Sequence, residues 1–218
     1  ITENDKKKLR QLWAKLYKQG YMSFIENKEL PHRRWQVERY KIKDISRVVI
    51  SLTTIPQRLP KLEPVLKALQ SQSVDQVYLN IPYISKKTGT KYDPLPSFLT
   101  NLDKVNILRC DDYGPLTKLL PVLQKERNPS TIIIICDDDM LYKGNEWASN
   151  LVTKVTPTTV AAYSTWKDDD LDIVMGYKGF AFQRKVFTPG YMTYFSNLST
   201  ACKYGDDYSI SFYLKKKE

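Results

Sequence analysis

The 218-residue chain is 42% hydrophobic and 12% aromatic, the composition of an ordered globular protein long enough for one sizeable core. No apolar run approaches the roughly 18 residues that span a bilayer, and no charged-then-apolar leader opens the chain. Of the net charge of +10, residues 1 to 47 carry +7, with 13 lysines and arginines against 6 acids. The start at Ile1 and the Lys-Lys-Lys-Glu218 end suggest a piece of a longer protein. Three cysteines, Cys110, Cys136 and Cys202, show no paired spacing, which argues against a disulfide framework or a zinc ribbon and for a reducing, cytoplasmic setting. His32 is the only histidine, so carboxylates and lysines must carry any chemistry.

Taken in chain order, Thr2 to Gly20 reads as a helix, with a capping box at Thr2 and Asp5 and an apolar stripe of Leu9, Leu12, Trp13, Leu16 and Tyr17. It belongs to a basic helical extension over residues 1–46. Its lysine-rich face suits a peripheral membrane contact or plain solvation, and no aromatic or glycine-rich basic motif points to nucleic acid. From Arg47 the pattern alternates. Val48 to Leu52 reads as a strand; Leu62, Val65, Leu66 and Leu69 mark one face of a helix; Gln76 to Ile81 reads as a strand. A loop from Pro82 to Pro96 precedes a strand at Val105 to Arg109 and a helix at Leu116 to Glu126. Ile132 to Ile135 follow, with a helix near Trp147 to Val155, short strands through Val160 to Tyr163 and Ile173 to Phe182, and a last helix from about Asp207 to Lys217. The alternation predicts an α/β fold with a mostly parallel central sheet flanked by helices.

The isoleucine run ends abruptly in Asp137-Asp138-Asp139. A run without alternation needs both faces covered, as in the middle of an α/β sheet, and such sheets bind ligands beyond the carboxyl ends of their strands. Three adjacent carboxylates repel one another, and a divalent metal is the simplest compensation. The other predicted strand ends carry Ser51-Leu-Thr-Thr-Ile-Pro-Gln-Arg58, Asn80-Ile-Pro82 and Asp111-Asp-Tyr-Gly-Pro-Leu-Thr-Lys118. Singly these are caps and turn formers. Together they form an inventory for a nucleoside diphosphate without a Walker sequence or a glycine-rich dinucleotide loop. Asp168-Asp-Asp170 is a second acid triplet and reads as a surface turn; Trp166 and Tyr177 are candidates for stacking on a sugar ring.

These motifs, with Gly176-Tyr-Lys-Gly-Phe-Ala181 and with Cys202 followed by Asp206-Asp207, resemble glycosyltransferases of the GT-A fold. The likeness runs from about Val48 to Leu214 and is nearest to compact transferase domains of bacterial polysaccharide loci and of large DNA viruses of algae. The resemblance implies a GT-A domain over residues 47–218 that uses Mn²⁺ or Mg²⁺ and a nucleotide-sugar donor, of UDP type with glucose or rhamnose as examples. The acceptor would be a glycan, glycoprotein or glycolipid. Residue by residue, it implies Asp139 as metal ligand, Asp137 at the ribose or the metal, and Asp138 as their support. Thr53, Thr54, Pro56 and Asn80 would line the base and ribose pocket, and Arg58 or Lys118 would face phosphate. Asp111, Tyr113, Gly114 and Thr117 would complete the donor site. Asp207, with Asp206 beside it, matches the acceptor base of inverting members; as a bare pattern the pair is also a helix N-terminus. The residues alone leave open a metal-dependent nucleotidyltransferase, or a non-catalytic module for an acidic partner.

Overall fold

The computed structural model describes residues 47–215 and two short strands before them, β1 (Phe24–Ile25) and β2 (Gln36–Val37). The chain divides into two units, Ile1–Ser46 and Arg47–Glu218. In the first, β1 and β2 pair antiparallel, with Phe24 opposite Val37. The helix expected over Thr2 to Gly20 lies outside the described residues.

The second unit is built on a six-stranded sheet. Its strands are β3 (Val48–Thr53), β4 (Gln76–Pro82), β5 (Val105–Cys110), β6 (Ile132–Ile135), β7 (Ala161–Ala162) and, after a separate two-stranded ribbon of β8 (Thr165–Asp168) and β9 (Leu171–Val174), β10 (Phe180–Gln183). The order is β5-β4-β3-β6-β10-β7, with β5, β4, β3 and β6 parallel and β10 antiparallel to both neighbours. This mixed sheet, mostly parallel and flanked by helices, has the α/β arrangement that the sequence predicts.

Burial explains the isoleucine run. Ile132 and Ile134 pack into one core with Ile50, Leu66, Leu69 and Trp147, while Ile133 and Ile135 pack into the other with Leu120, Phe180, Phe182 and Ile210. Helices α1 (Glu63–Gln70), α2 (Leu120–Lys125), α3 (Trp147–Val152), α4 (Tyr191–Ser196) and α6 (Asp206–Lys215) supply much of that cover, whereas α5 (Thr200–Tyr204) buries no residue. In α1 the buried Leu66 and Leu69 share a face, and Glu63 pairs with Lys67 one turn on at 2.7 Å.

Three elements depart from the sequence reading. The helix expected over Leu116 to Glu126 is a 3₁₀ turn, Gly114–Lys118, followed by α2. The strand expected over Ile173 to Phe182 is two strands, β9 and β10, separated by the turn Gly176–Lys178. Helices α4 and α5 were unforeseen; the first is held by aromatic packing, with Phe187 stacked on Tyr213 at 5.1 Å and Phe195 at 5.5 Å from the same ring.

The first strands run outward, β3 to β4 to β5, and the chain then returns to place β6 on the other side of β3. The strand order reverses between β3 and β6, so the crevice at their carboxyl ends is the ligand position of an open α/β sheet. One wall of this half of the fold is tied down by Gln72, which is buried between α1 and α3. Its amide nitrogen donates to the Gly144 carbonyl at 2.6 Å, and its oxygen accepts from the Ala148 amide at 3.1 Å. It thus serves as a distant cap for α3. Gln72→Leu strands the buried Ala148 amide, so we expect a loss of about 1–3 kcal/mol in urea unfolding; a change within 0.5 kcal/mol, of the order seen for surface substitutions, would show that the cap is dispensable.

Candidate active site

The carboxyl ends of β3 and β6 meet in a hydrogen bond. Thr54, one residue past β3, donates through Oγ1 to Asp138 Oδ2 at 2.5 Å, and both side chains are buried. Arg58 lies over the same acids: Nη1 is 2.7 Å from Asp139 Oδ2, and Nε is 3.2 Å from Asp138 Oδ2. Burial raises the Asp138 carboxyl above the ordinary range, opposed by the Thr54 bond and the Arg58 charge. Asp139 is the outermost acid, with its side chain 54% exposed.

A second cluster centres on Lys118, in the return connection between β5 and β6. Its Nζ lies 2.6 Å from Asp137 Oδ1 and 2.7 Å from Asp206 Oδ2, with only 5% of the side chain exposed. Burial alone would lower its pKa, but Asp206 and Asp137 outweigh that and hold it above the usual lysine range. Asp207, the next residue on α6, accepts the Gly176 amide at 3.0 Å. Its burial and the neighbouring Asp206 charge push it up to about 6, against the pull of Lys118.

Gly176 is the joint of this cluster. A Cβ there would fall 2.6 Å from Lys118 Nζ, 3.1 Å from Asp207 Oδ1 and 3.4 Å from Asp137 Oδ1. Any side chain at this position must displace the charged groups. Tyr142 braces the acid loop from behind: its hydroxyl accepts the Asp137 amide at 3.0 Å and stands 3.1 Å from the Asp137 carbonyl and 2.9 Å from the Tyr177 carbonyl. Neither residue stood among the sequence candidates. Gly176 was within reach through its Gly-Tyr-Lys-Gly context, whereas nothing in the sequence marks Tyr142.

The remaining candidates separate into three groups. Pro56 is half-buried in the turn that aims Arg58. Thr53, Asn80 and Thr117 bond within the fold: Thr53 Oγ1 donates to the Asn80 carbonyl at 2.9 Å, Asn80 Nδ2 donates to Ser51 Oγ and the Leu52 carbonyl at 2.8 Å each while its Oδ1 is buried without a partner, and Thr117 Oγ1 accepts the Tyr113 amide at 2.9 Å. Asn80 and Thr117 are fully buried, so their side chains brace the crevice wall. Asp111 and Tyr113 line an open groove beside β5 with Tyr83, Arg109 and Lys125. There Arg109 stacks over the Tyr83 ring at 4.8 Å and pairs with Asp93 at 2.9 Å. Gly114, at φ +63, makes the bend between that groove and the 3₁₀ turn bearing Lys118.

No family model matches the chain, and no curated protein matches it in sequence. Among solved structures it is similar to the mannosyltransferase PcManGT from Pyrobaculum calidifontis, determined in complex with GDP-Man and Mn²⁺, at 16% identity and a TM-score of 0.49. The match covers 81% of this chain and 52% of that one, so the chain spans about half the length of that protein. No helix among the described residues is long and apolar enough to cross a membrane.

The raised Asp207 carboxyl has a consequence for stability. An unfolded aspartate titrates near 3.9, so the folded state binds this proton more tightly. The contribution is fully present below about pH 4 and is lost as pH rises through about 6. In chelated protein, the wild type should therefore lose stability relative to Asp207→Asn between pH 4 and pH 7. Parallel pH profiles of the two denaturation midpoints would contradict the burial of this charge.

Proposed function

We propose that this chain carries a metal-dependent glycosyltransferase domain that moves a sugar from a nucleotide-sugar donor, of UDP type, to a hydroxyl of a glycan or glycoconjugate, with inversion at the anomeric carbon. The observation that carries the reading is the charge balance of the crevice at the strand-order reversal. Five carboxylates, Asp137, Asp138, Asp139, Asp206 and Asp207, face two cations, Arg58 and Lys118. The excess of acid suits a divalent ion.

The donor set suits such an ion as well. It is all oxygen, as hard cations require; among the described residues no group of three or more ligating side chains converges, so the protein alone offers no closed cage and phosphate and water would have to complete the shell. A shell of one or two carboxylates completed by phosphate and water is how Mg²⁺ and similar ions are held in phosphate-handling sites. Asp139, exposed at the rim, and Asp137 would hold it. Once bound, the ion supplies positive charge where the departing diphosphate becomes negative.

The chain's own residues have separable tasks. Asp138, fixed by Thr54 and Arg58, sets the position of the acids on either side. Arg58 is able to turn from Asp139 to a phosphate oxygen because its side chain is 42% exposed. Asp207 acts as the base: it takes the acceptor hydroxyl proton while that oxygen bonds to the anomeric carbon. The bond from the same carbon to the diphosphate oxygen breaks on the opposite face, and the nucleoside diphosphate leaves. The Gly176 amide keeps one Asp207 oxygen fixed and so aims the other.

A screen of UDP-sugars for UDP release, with Mn²⁺, Mg²⁺ or chelator, tests the reading directly. Metal-dependent release from one donor is the expected result, and Asp139→Ala should reduce it on the order of 100-fold with an unchanged melting temperature. Silence across the panel, with no calorimetric binding of UDP and Mn²⁺, would defeat the proposal. Retention of anomeric configuration in the product would remove Asp207 from the role of base.

Arg58 gives a test that needs no turnover. Its ion pair with Asp139 competes with any metal, so Arg58→Gln should tighten Mn²⁺ binding in the absence of nucleotide by a factor of about 2–5, the equivalent of an exposed ion pair of up to ~1 kcal/mol. Unchanged or weaker affinity by electron paramagnetic resonance would show that Arg58 and the ion do not share Asp139.

A further inference from the structure

The ribbon β8–β9 stands outside the main sheet, and every residue of β8 is exposed. Its Trp166 is 54% exposed, a large apolar face left in water. The ring meets that of Tyr208 edge-on, with centroids 5.9 Å apart. Tyr208 directly follows Asp207 on α6, and the pKa of its hydroxyl is raised above the ordinary phenol range by burial and by the charge of Asp168, two residues beyond Trp166 on the same face of β8. Phe212, one helical turn past Tyr208, is 48% exposed and extends the strip.

The strip lies close to the proposed base. The Met175 amide donates to the Ser164 carbonyl at 3.0 Å, and Met175 adjoins the Gly176 whose amide holds Asp207. Trp166 is two strand residues from Ser164, a separation of about 7 Å at 3.3 Å per residue. A group stacked on Trp166 would thus sit beside the acceptor hydroxyl rather than at it.

The local charge narrows what that group can be. The ribbon and its turn carry Asp168, Asp169, Asp170 and Asp172, all exposed, against Lys167 and the Lys215 ammonium that α6 sets 2.8 Å from the Asp170 carbonyl, an excess of acid. Such a field repels phosphate and uronate groups. An aromatic face with hydrogen-bonding acids beside it suits a ring that has an apolar face and hydroxyls at its rim. A neutral pyranose meets both conditions, and an anionic lipid headgroup meets neither.

We propose that Trp166, Tyr208 and Asp168 form an acceptor subsite for a neutral saccharide, so that the substrate to be extended is a preformed neutral glycan. The assignment rests on the glycosyltransferase reading of the adjoining crevice. Trp166 supplies the stacking face, Tyr208 braces it, and Asp168 accepts from a ring hydroxyl.

Ligand-observed NMR on the whole chain tests this without turnover. The probes are neutral hexose disaccharides and methyl hexosides, their uronic acid counterparts, and a short alkyl phosphate, with wild type, Trp166→Ala and Trp166→Phe compared. We expect a neutral disaccharide to bind, to weaken at least about tenfold in Trp166→Ala, as hot-spot aromatics do, and to recover in part in Trp166→Phe. The charged probes should bind more weakly. Binding of no neutral saccharide, binding unchanged in Trp166→Ala, or a preference for the uronate or the phosphate would each overturn the subsite. Melting curves confirm that the variants are folded, since Trp166 lies on an exposed outer strand. UDP release from the wild type, measured in parallel, separates the two readings: release together with Trp166-independent saccharide binding removes only the subsite, whereas saccharide binding through Trp166 without donor turnover removes the transfer reaction.

Discussion

The crevice depends on one buried ammonium group. Lys118 is 4% exposed, and a lone lysine there would give up its charge. It stays charged because Asp137, just past β6, and Asp206, at the start of α6, close on it at 2.6 and 2.7 Å. Removing one partner of a buried ion set leaves an uncompensated charge and costs about 3–5 kcal/mol, so the three groups are present together or the region rearranges. Ser51 on β3 adds a third tie, donating through its hydroxyl to the Lys118 carbonyl at 2.7 Å. By these contacts the ends of β3, β6 and α6, distant in sequence, are fixed around a single point. Gly176 is drawn into the same constraint because only a residue without a side chain fits against Lys118 Nζ.

How much of this was legible in the sequence follows from where burial is one-sided. The isoleucine run was readable because a strand with both faces covered has no alternative to a continuous apolar pattern, and the acids after it had to lie at a strand end. The same property hid Asn80. With Leu79, Asn80 and Ile81 all fully buried, alternation no longer tells which side a polar residue faces, and Asn80 turned out to hydrogen-bond across to β3. The break within the second helix follows local chemistry instead: Gly114 takes a left-handed conformation, and Pro121, lacking an amide hydrogen, starts α2 afresh near its first turn. The ribbon β8–β9 was obscured because its outer strand is exposed on both sides and carries no apolar period, although its turn at Asp169, with φ 51, was legible as an acidic surface turn.

The site was readable in its acids and unreadable in its cations. A lysine and an arginine near a set of aspartates look alike in sequence, and the resemblance leaves either as the cation that faces phosphate. Burial separates them. Lys118 is enclosed and shared by two carboxylates, so moving it exposes both to each other, and its effect is to hold the acids in register. Arg58 is 42% exposed, rides on the turn after β3 and contacts the most exposed acid of the set. An exposed ion pair is worth at most about 1 kcal/mol, far less than a divalent ion would gain from the same carboxylate under the proposed function. Lys118 is therefore the fixed charge that shapes the crevice, and Arg58 is the exchangeable one that can follow the charge of whatever enters it.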